Sequence, residues 1–296
     1  MNNEVIKTEN GYFSIKNLPT QLELEAHYSE KYYQNESVQY AHEYSEDELK
    51  HFNNIAETMF YLYSKFLNMG NKILLEVGAG EGFFANYFLN KNFDVTTLDY
   101  SEYGIVKHNP KLLNSLMKGD VFQSLDKLII ENNQYSLINL SNVLEHVLDP
   151  IDLLNKLKLL LSDKSLLRIS VPNDYSEFQQ FLLKKNYTSN SWLCPPEHLH
   201  YFTFKSLSKL LESVGYEIVL KMGEFPIELY LTNEASNYNK IKEVGRFAHK
   251  SRIEVDNFLF EQGIENYINF YKASADIGLS RQVVIIARLR KDDENR

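Results

Sequence analysis

A glycine-rich turn is the most chemically informative segment of the sequence. Residues 75–83 read Leu-Glu-Val-Gly-Ala-Gly-Glu-Gly-Phe, and the apolar run around residues 72–77 predicts a buried strand that turns here into a helix. Gly78, Gly80 and Gly82 permit such a turn and let the backbone approach a ligand closely, because they lack a Cβ atom. Glu76, a charged residue in an apolar strand, favours a ligand-binding turn over a purely structural one.

The spacing of these glycines argues against a dinucleotide ligand. The dinucleotide fingerprint needs a third glycine three positions after the second, and Phe83 stands there. Glu81 would also place negative charge where a pyrophosphate meets the helix N-terminus, whereas S-adenosylmethionine has no phosphate and carries a sulfonium cation. The turn therefore favours the sulfonium ligand.

The turn resembles the first motif of class I (Rossmann-like) S-adenosylmethionine-dependent methyltransferases, in which an acidic residue precedes alternating glycines. The resemblance extends over about residues 70–222. It implies that Glu76 takes the acidic position of the motif and that the turn lies against the methionine portion of the cofactor. The other residues that it assigns to this contact are Gly78, Ala79, Gly80, Gly82 and Phe83. No metal cofactor is expected.

Two downstream carboxylates complete the cofactor site that the resemblance implies. Asp99, followed by Tyr100, ends the second predicted strand about 20 residues after the turn, where a carboxylate can accept hydrogen bonds from both ribose hydroxyls. Asp120 would accept from the exocyclic amine of the adenine, and Val121 would pack on the ring. Capping of the following helix is the alternative role for Asp99.

The segment after the fourth predicted strand contains the first candidate proton acceptor. It reads Asn139-Leu140-Ser141-Asn142-Val143-Leu144-Glu145-His146-Val147 and is similar to the post-strand motif of the family that ends in Glu-His. The resemblance implies that Ser141 and Asn142 line the methyl end of the cofactor. His146 could accept the proton of an acceptor hydroxyl, or it could only fix the loop by hydrogen bonding.

A second histidine segment, Pro195-Pro196-Glu197-His198-Leu199-His200-Tyr201, resembles the Pro-Glu-His-Leu segment of many small-molecule methyltransferases, including sugar-modifying ones. In some sugar C-methyltransferases a Glu-His pair here assists proton removal, which makes Glu197 and His198 candidate catalytic residues. Those enzymes also carry an N-terminal zinc-binding cysteine cluster that this sequence lacks. A loop-anchoring network and a metal site built from Glu197, His198 and His200 are the alternatives.

The acceptor is expected to contact the loop region after the fifth predicted strand. Residues 173–202 have little periodicity, which predicts a long loop beside the sheet. The candidate acceptor-binding residues are Asn173, Trp192, His200 and Tyr201. Aromatic rings can stack on a sugar face, although packing is the alternative role.

Short apolar runs alternate with amphipathic stretches, which predicts an α/β fold. The runs that predict buried strands are Lys72–Val77, Asp94–Leu98, Ser115–Lys118, Ser136–Leu140, Ser165–Val171, Tyr216–Lys221 and Gln282–Leu289. Helical spacing of apolar residues marks Phe83–Asn90, Ile151–Leu161 and Phe204–Val214. We expect a seven-stranded, mostly parallel, doubly wound sheet that binds its ligand at the carboxyl ends of the strands.

Other segments are expected to surround this core. We divide the chain into an N-terminal helical cap (1–69), the cofactor-binding core (70–224), a helical insertion (225–280) and a final strand with a tail (281–296). The cap contains tyrosines at 28, 32, 33, 40 and 44 and a predicted helix through Phe60 and Phe66. The insertion is predicted to hold helices over Glu234–Lys250 and Ile253–Lys272 and to act as a lid or a homodimer contact.

Composition excludes several partners. The chain has 31 lysines and arginines against 40 aspartates and glutamates, a formal charge of −9, so no nucleic-acid partner is expected. The one cysteine, Cys194, cannot form an internal disulfide. No signal peptide and no apolar run of about 18 residues is present, so a cytoplasmic location without a membrane span is expected.

The expected activity is methylation of a small molecule by S-adenosyl-L-methionine, at a hydroxyl of a sugar, nucleotide sugar or surface-polysaccharide (capsule or O-antigen) precursor. A phenol or quinone precursor would instead need an apolar pocket around Trp192 and Phe202. A phosphoryl or phosphoramidate oxygen would need Lys184, Lys185 or Arg246 at the site. A non-catalytic scaffold is the alternative of another class, against which the intact glycines, Asp99 and Asp120 argue.

Overall fold

The computed structural model describes residues 4–24, 26, 43–67 and 71–291. The tyrosines predicted for the cap at positions 28, 32, 33 and 40 lie outside these ranges. In chain order the strands are β1 (Val5–Lys7), β2 (Phe13–Ile15), β3 (Ile73–Val77), β4 (Asp94–Asp99), β5 (Leu116–Lys118), β6 (Tyr135–Ser141), β7 (Leu161–Pro172), β8 (His200–Tyr201), β9 (Tyr216–Met222) and β10 (Gln282–Leu289). The α-helices are α1 (Glu46–Leu67), α2 (Phe83–Leu89), α3 (Tyr103–His108), α4 (Val121–Ile130), α5 (Pro150–Leu160), α6 (Glu177–Lys184), α7 (Phe204–Ser213), α8 (Gly245–Glu261) and α9 (Ile264–Asp276).

The central sheet has the seven predicted strands in the order β5-β4-β3-β6-β7-β10-β9. Strands β3 to β7 pair in parallel, and β10 is antiparallel to both of its neighbours, β7 and β9. The predicted fold class, an α/β mostly parallel sheet, is thereby confirmed. Its parallel strands end at a common edge, which is where such sheets bind ligands.

Helices cover both faces of this sheet, because its strands are apolar on both sides. In β6, Ile138 and Leu140 are buried in one hydrophobic layer, whereas Leu137 is buried in the other. In β3, Leu75 and Val77 face the first layer and Leu74 faces the second. Alternate residues of one strand therefore hold two helical layers in place, as a doubly wound fold requires.

A small antiparallel sheet, β1-β2-β8, lies outside the core and was not predicted. It joins residues 4–15 of the cap to the end of the 173–202 segment. That segment also contains α6, which Ser176 caps by accepting from the backbone N–H of Gln179. The prediction of one long loop over 173–202 was therefore wrong. The segment forms a short helix and a two-residue strand, which its low apolar periodicity did not indicate.

The insertion is helical, but its first helix is not where the sequence pattern placed it. Residues 227–232 and 242–244 form 3₁₀ turns, and α8 begins only at Gly245. The Asn237 side chain accepts from the N–H groups of Asn239 and Lys240 and donates to the carbonyl of Leu231. Such local bonds compete with helix formation. The predicted break before Ile253 is also wrong, because α8 continues to Glu261.

The cap helix α1 packs against both α2 of the core and α8 of the insertion. Its predicted course through Phe60 and Phe66 is confirmed. A buried polar network joins α1 to α8: the Nδ1 atom of His51 lies 2.7 Å from a carboxylate oxygen of Asp256, and Asn54 donates to Asn257 at 2.9 Å. Cap and insertion thus form a continuous cover beside the sheet edge. In the part of the chain that the structure describes, no helix has the length and apolarity to cross a membrane.

Candidate cofactor and acceptor site

A cavity of about 890 Å³ opens at the carboxyl ends of β3, β4 and β6, under α1 and α8. All the predicted cofactor-binding residues line it: Glu76, Gly78, Ala79, Gly80, Gly82, Phe83, Asp99, Tyr100, Asp120, Val121, Ser141 and Asn142. The residues come from separate motifs along the chain. They meet because parallel strands deliver the loops that follow them to one edge.

The glycine turn has the left-handed backbone that its residues predicted. Gly78 has a φ of +75° and Gly82 has a φ of +76°. The N–H groups of Gly78 and Ala79 donate to the carbonyl of Leu98 at 2.8 and 3.0 Å, which fastens the turn to β4. A Cβ atom on Gly78 would lie 2.3 Å from Cγ2 of Val143. The turn therefore packs directly on the segment after β6.

Gly78→Ala should lower both stability and donor affinity. The methyl group meets Val143 and the positive φ disfavours any side chain, which together cost about 2 kcal/mol or more. Gly80→Ala is the matched control, because its φ is +55° but no atom lies within 4 Å of the added Cβ. Thermal unfolding and titration with S-adenosylhomocysteine measure the two effects. Equal losses in the two variants would contradict the packing argument.

Asp99 connects the turn to the second strand. One carboxylate oxygen accepts from the Gly80 N–H at 2.8 Å, and the other accepts from the Ser101 N–H at 2.9 Å. Burial raises the pKa of this carboxyl group, and these backbone donors oppose the shift. A carboxylate oxygen can accept more than one hydrogen bond, so Asp99 keeps capacity for hydroxyl donors in the cavity.

Asp120 has the helix-capping role that was the alternative for Asp99. It is the N-cap of α4 and accepts from the Gln123 N–H at 3.0 Å. Its position on the cavity wall leaves the predicted contact with adenine compatible with capping.

The buried side chain of Glu76 connects the glycine turn to α2 and β6. Its carboxylate oxygens accept from the Asn139 amide at 3.0 Å and from the Ala85 N–H, in the first turn of α2, at 2.8 Å. Burial raises the pKa of Glu76 to about 8. Asn139 in turn accepts from Arg168 of β7 at 2.9 Å. Asn139 belongs to the segment that the resemblance assigned to the cofactor, whereas Arg168 was not predicted. A charged residue inside the apolar run of β7 is nevertheless the kind of signal that marked Glu76.

The cap covers the turn through aromatic contacts and one hydrogen bond. The Tyr44 hydroxyl donates to Glu81 at 2.8 Å. The ring of Phe52 in α1 stacks on Phe83, with centroids 4.9 Å apart. The cap therefore closes one side of the cavity against water.

Of the predicted catalytic residues, only His146 lines the cavity. Its Nδ1 atom lies 2.6 Å from the backbone carbonyl of Glu197, so Nδ1 carries the proton and donates. Nε2 lies 3.8 Å from a carboxylate oxygen of Glu145. Glu197 thus contributes its backbone, and the His198 ring packs edge-on against His146 at 4.8 Å. His198 Nδ1 itself lies 4.0 Å from Asp174.

The structure does not assemble the alternative metal site of Glu197, His198 and His200. Among the described residues, the group with metal-ligand atoms within 4.8 Å of one another is Glu145, His146 and His198. His200 belongs to the small sheet, where its Nε2 atom lies 3.0 Å from the carbonyl of Val147.

Glu145→Gln should change how stability depends on pH. Glu145 is fully buried, and burial raises its pKa to about 8. The stabilisation from the protonated group is complete below its unfolded pKa of about 4.5 and is lost as pH rises through about 8. Glutamine does not titrate. The unfolding free energy of the variant relative to wild type should therefore rise by up to about 4 kcal/mol between about pH 5 and about pH 9. Chemical denaturation measures it, and a constant difference would contradict it.

The residues predicted to bind the acceptor do not line the cavity. Trp192 and Tyr201 are buried in a hydrophobic cluster with Ile15, Leu24 and Leu199. Asn173 donates to the carbonyls of Ser280 and Gly278, at 2.9 and 3.3 Å, and His200 is buried. The structure places these four residues away from the cavity wall, because the small sheet buries the segment that the sequence predicted as an open loop. Phe202 is also in the core, so neither Phe202 nor Trp192, around which a pocket for a phenol was expected, lines the cavity.

Further polar and charged residues line the cavity together with apolar ones such as Ile55, Phe84 and Ile227. The polar and charged residues are Arg168, Ser170, Glu224, His249, Arg252, Arg281 and Gln282. Lys184, Lys185 and Arg246, the cations that the phosphoryl alternative required, are exposed and do not line the cavity. No local sequence pattern marked Arg252 or Arg281, since α8 and the start of β10 reach the cavity only through tertiary packing.

Comparison with known proteins gives a family and a fold. A family model described as a methyltransferase domain matches residues 42–221. No curated protein has a sequence that matches this chain significantly.

Solved structures share the architecture at low identity. A SAM-dependent methyltransferase from Archaeoglobus fulgidus has a TM-score of 0.51 at 18% identity, over 86% of this chain and 99% of that chain. An S-adenosylmethionine-dependent methyltransferase from Clostridium acetobutylicum has a TM-score of 0.50 at 10% identity, over 89% and 99%. The plantazolicin methyltransferase BpumL in complex with SAH has a TM-score of 0.51 at 16% identity, over 90% and 94%. At these identities the likeness concerns the fold.

Proposed function

Because this chain belongs to the methyltransferase-domain family and its cofactor is S-adenosyl-L-methionine, we propose that it methylates a hydroxyl group of a small molecule, with His146 as proton acceptor. The observation that carries the proposal is the cavity at the sheet edge, which His146 and all the predicted cofactor residues line. The products are the methylated acceptor and S-adenosylhomocysteine.

The residues present fit the methyl donor. Asp99 offers carboxylate oxygens to the two ribose hydroxyls, and Asp120 offers one to the adenine amine. The glycine turn brings backbone close to the methionine portion without a side chain in between. The charged side chains nearest this end, Glu81, Asp99 and Asp120, are acidic, which suits a sulfonium cation and disfavours a pyrophosphate.

The protein has to align the acceptor and exclude water, because the sulfonium supplies an already activated methyl group. The cap provides exclusion through Tyr44 on Glu81 and Phe52 on Phe83. A hydroxyl has a pKa far above neutrality, so its proton must leave as the new bond forms. His146 can take it at Nε2, since Nδ1 is committed to the Glu197 carbonyl.

Glu145 and His198 serve as positioning residues for His146 in this proposal. An imidazolium at His146 would face the Glu145 carboxyl group, 3.8 Å from Nε2. The His198 ring fixes the plane of His146 by edge-on packing. Glu197 orients it through its main-chain carbonyl rather than through its side chain.

We propose a sugar, nucleotide sugar or surface-polysaccharide precursor as the acceptor. The Pro-Glu-His-Leu resemblance supports this class, and the cavity wall contains hydrogen-bonding side chains such as Arg252 and Gln282 that could bind sugar hydroxyls. We also propose that the enzyme is cytoplasmic and that the chain divides into cap, core, insertion and tail. A homodimer is a further hypothesis. Exposed Phe247 and Phe258 on α8 are candidate contacts for such a dimer.

Two measurements test the proposed function. Calorimetry should show saturable binding of S-adenosylmethionine and S-adenosylhomocysteine, whereas a scaffold that has lost the site would bind neither. A screen with labelled donor should then yield labelled product from nucleotide sugars or phosphorylated glycan precursors. Product from phenols alone would overturn the sugar assignment and keep the methyltransferase assignment.

A further inference from the structure

We propose that the acceptor carries an anionic group, a phosphate or a carboxylate, and that Arg252 of α8 binds it inside the cavity. The inference rests on the proposed methyl transfer and names the chemical class of its substrate. Arg252 lines the cavity and is partly buried.

Arg252 is held in place by a neutral partner. Its Nε atom donates to Nδ1 of His249 at 3.3 Å, and Nε2 of His249 lies 3.0 Å from a carboxylate oxygen of Glu48 in α1. Since Nδ1 accepts, Nε2 carries the proton and donates to Glu48. The imidazole thus orients the guanidinium without neutralising its positive charge. The Glu48 carboxylate lies on the other side of the imidazole ring.

The other arginines of the cavity wall have carboxylate partners. Arg281 lies 3.0 Å from Asp174 and 3.2 Å from Glu228, and Arg168 lies 3.8 Å from Glu224. Within residues 4–24, 26, 43–67 and 71–291, no carboxylate oxygen lies within the 4.0 Å ion-pair distance of Arg252. A partly buried charge without a counter-ion is costly, so an anionic ligand accounts for it.

The distribution of charge around the cavity agrees with this assignment. Glu81, Asp99 and Asp120 make the glycine-turn side acidic, so an anion would be repelled there. The uncompensated cation belongs to the insertion, on a protein whose formal charge is −9. The planar guanidinium presents paired donors that match the oxygens of phosphate and carboxylate. A nucleotide sugar would supply such oxygens in its pyrophosphate.

The experiment titrates probes into protein saturated with S-adenosylhomocysteine. The anionic probes are UDP, inorganic pyrophosphate and galacturonate, and galactose is the neutral match of galacturonate. Arg252→Gln should weaken binding of the anionic probe by about 10- to 100-fold, and Arg252→Lys should weaken it less. Arg246→Gln is the matched control, because Arg246 is exposed on the same helix and does not line the cavity. UDP or pyrophosphate binding identifies a phosphate, and preference for galacturonate over galactose identifies a carboxylate.

The outcomes separate this inference from the proposed function. Failure of every anionic probe to bind, or equal binding by Arg252→Gln, overturns the anion site while leaving methyl transfer intact. Weaker S-adenosylhomocysteine binding by Arg252→Gln also overturns it, because Arg252 would then hold the carboxylate of the cofactor. If wild type does not bind S-adenosylhomocysteine, the proposed function fails. Thermal unfolding of both glutamine variants confirms that they are folded.

Discussion

Replacing His146 with alanine lowers methyl-transfer turnover by about 10²- to 10⁴-fold, the usual contribution of a general base, and leaves affinity for S-adenosylhomocysteine nearly unchanged. The base is lost because, in the proposed reaction, Nε2 of His146 takes the hydroxyl proton while Nδ1 donates to the Glu197 carbonyl. Steady-state rates with the acceptor from the labelled screen measure the effect, and calorimetry measures donor affinity.

His198→Ala is the informative companion to this variant. It removes the ring that packs on His146 but leaves His146 on the cavity wall, so its turnover should fall less than that of His146→Ala. If His198→Ala loses more activity than His146→Ala, His198 is the base and the assignment made here is reversed.

Replacing Asp99 with alanine weakens S-adenosylhomocysteine binding by about 10²- to 10⁴-fold. Two ribose hydroxyls would lose their charged acceptor, and each such hydrogen bond contributes about 1.5–3 kcal/mol. The Gly80 N–H would also lose its partner, at 2.8 Å, so part of the loss comes from loosening of the turn. Titration calorimetry on folded variant protein measures the change.

Asp99→Asn separates these two contributions. Asparagine keeps one oxygen for the Gly80 or Ser101 N–H and loses the charge, so its affinity should lie between wild type and Asp99→Ala. Asp120→Ala is the second control and should weaken binding less, because Asp120 would contact one amine. Unchanged affinity in Asp99→Ala would reject the ribose assignment, and a large fall in its unfolding temperature would assign the effect to the turn.

The candidate cofactor side was predictable from the sequence because its signals are local. Glycine at 78, 80 and 82 allows the left-handed backbone of a tight turn, and a polar residue after each buried strand lies at a common edge once the strands are parallel. Glu76 and Asp99 needed no knowledge of distant segments. The choice between His146 and His198 depended on distant segments. Each histidine directly follows a glutamate in the sequence, and only the packing determines that the His146 ring lines the cavity.

By itself, the sequence determined the α/β class, the glycine turn and the carboxylates beside it, since each depends on hydrophobic period or on the conformational freedom of neighbouring residues. Tertiary structure alone decided that Trp192 and Tyr201 are packing residues, that α8 begins at Gly245, and that Arg252 reaches the cavity. The reason is physical: burial and charge pairing are properties of segments that meet in space, and residues 48 and 252 are joined through His249 by contacts that no local pattern encodes.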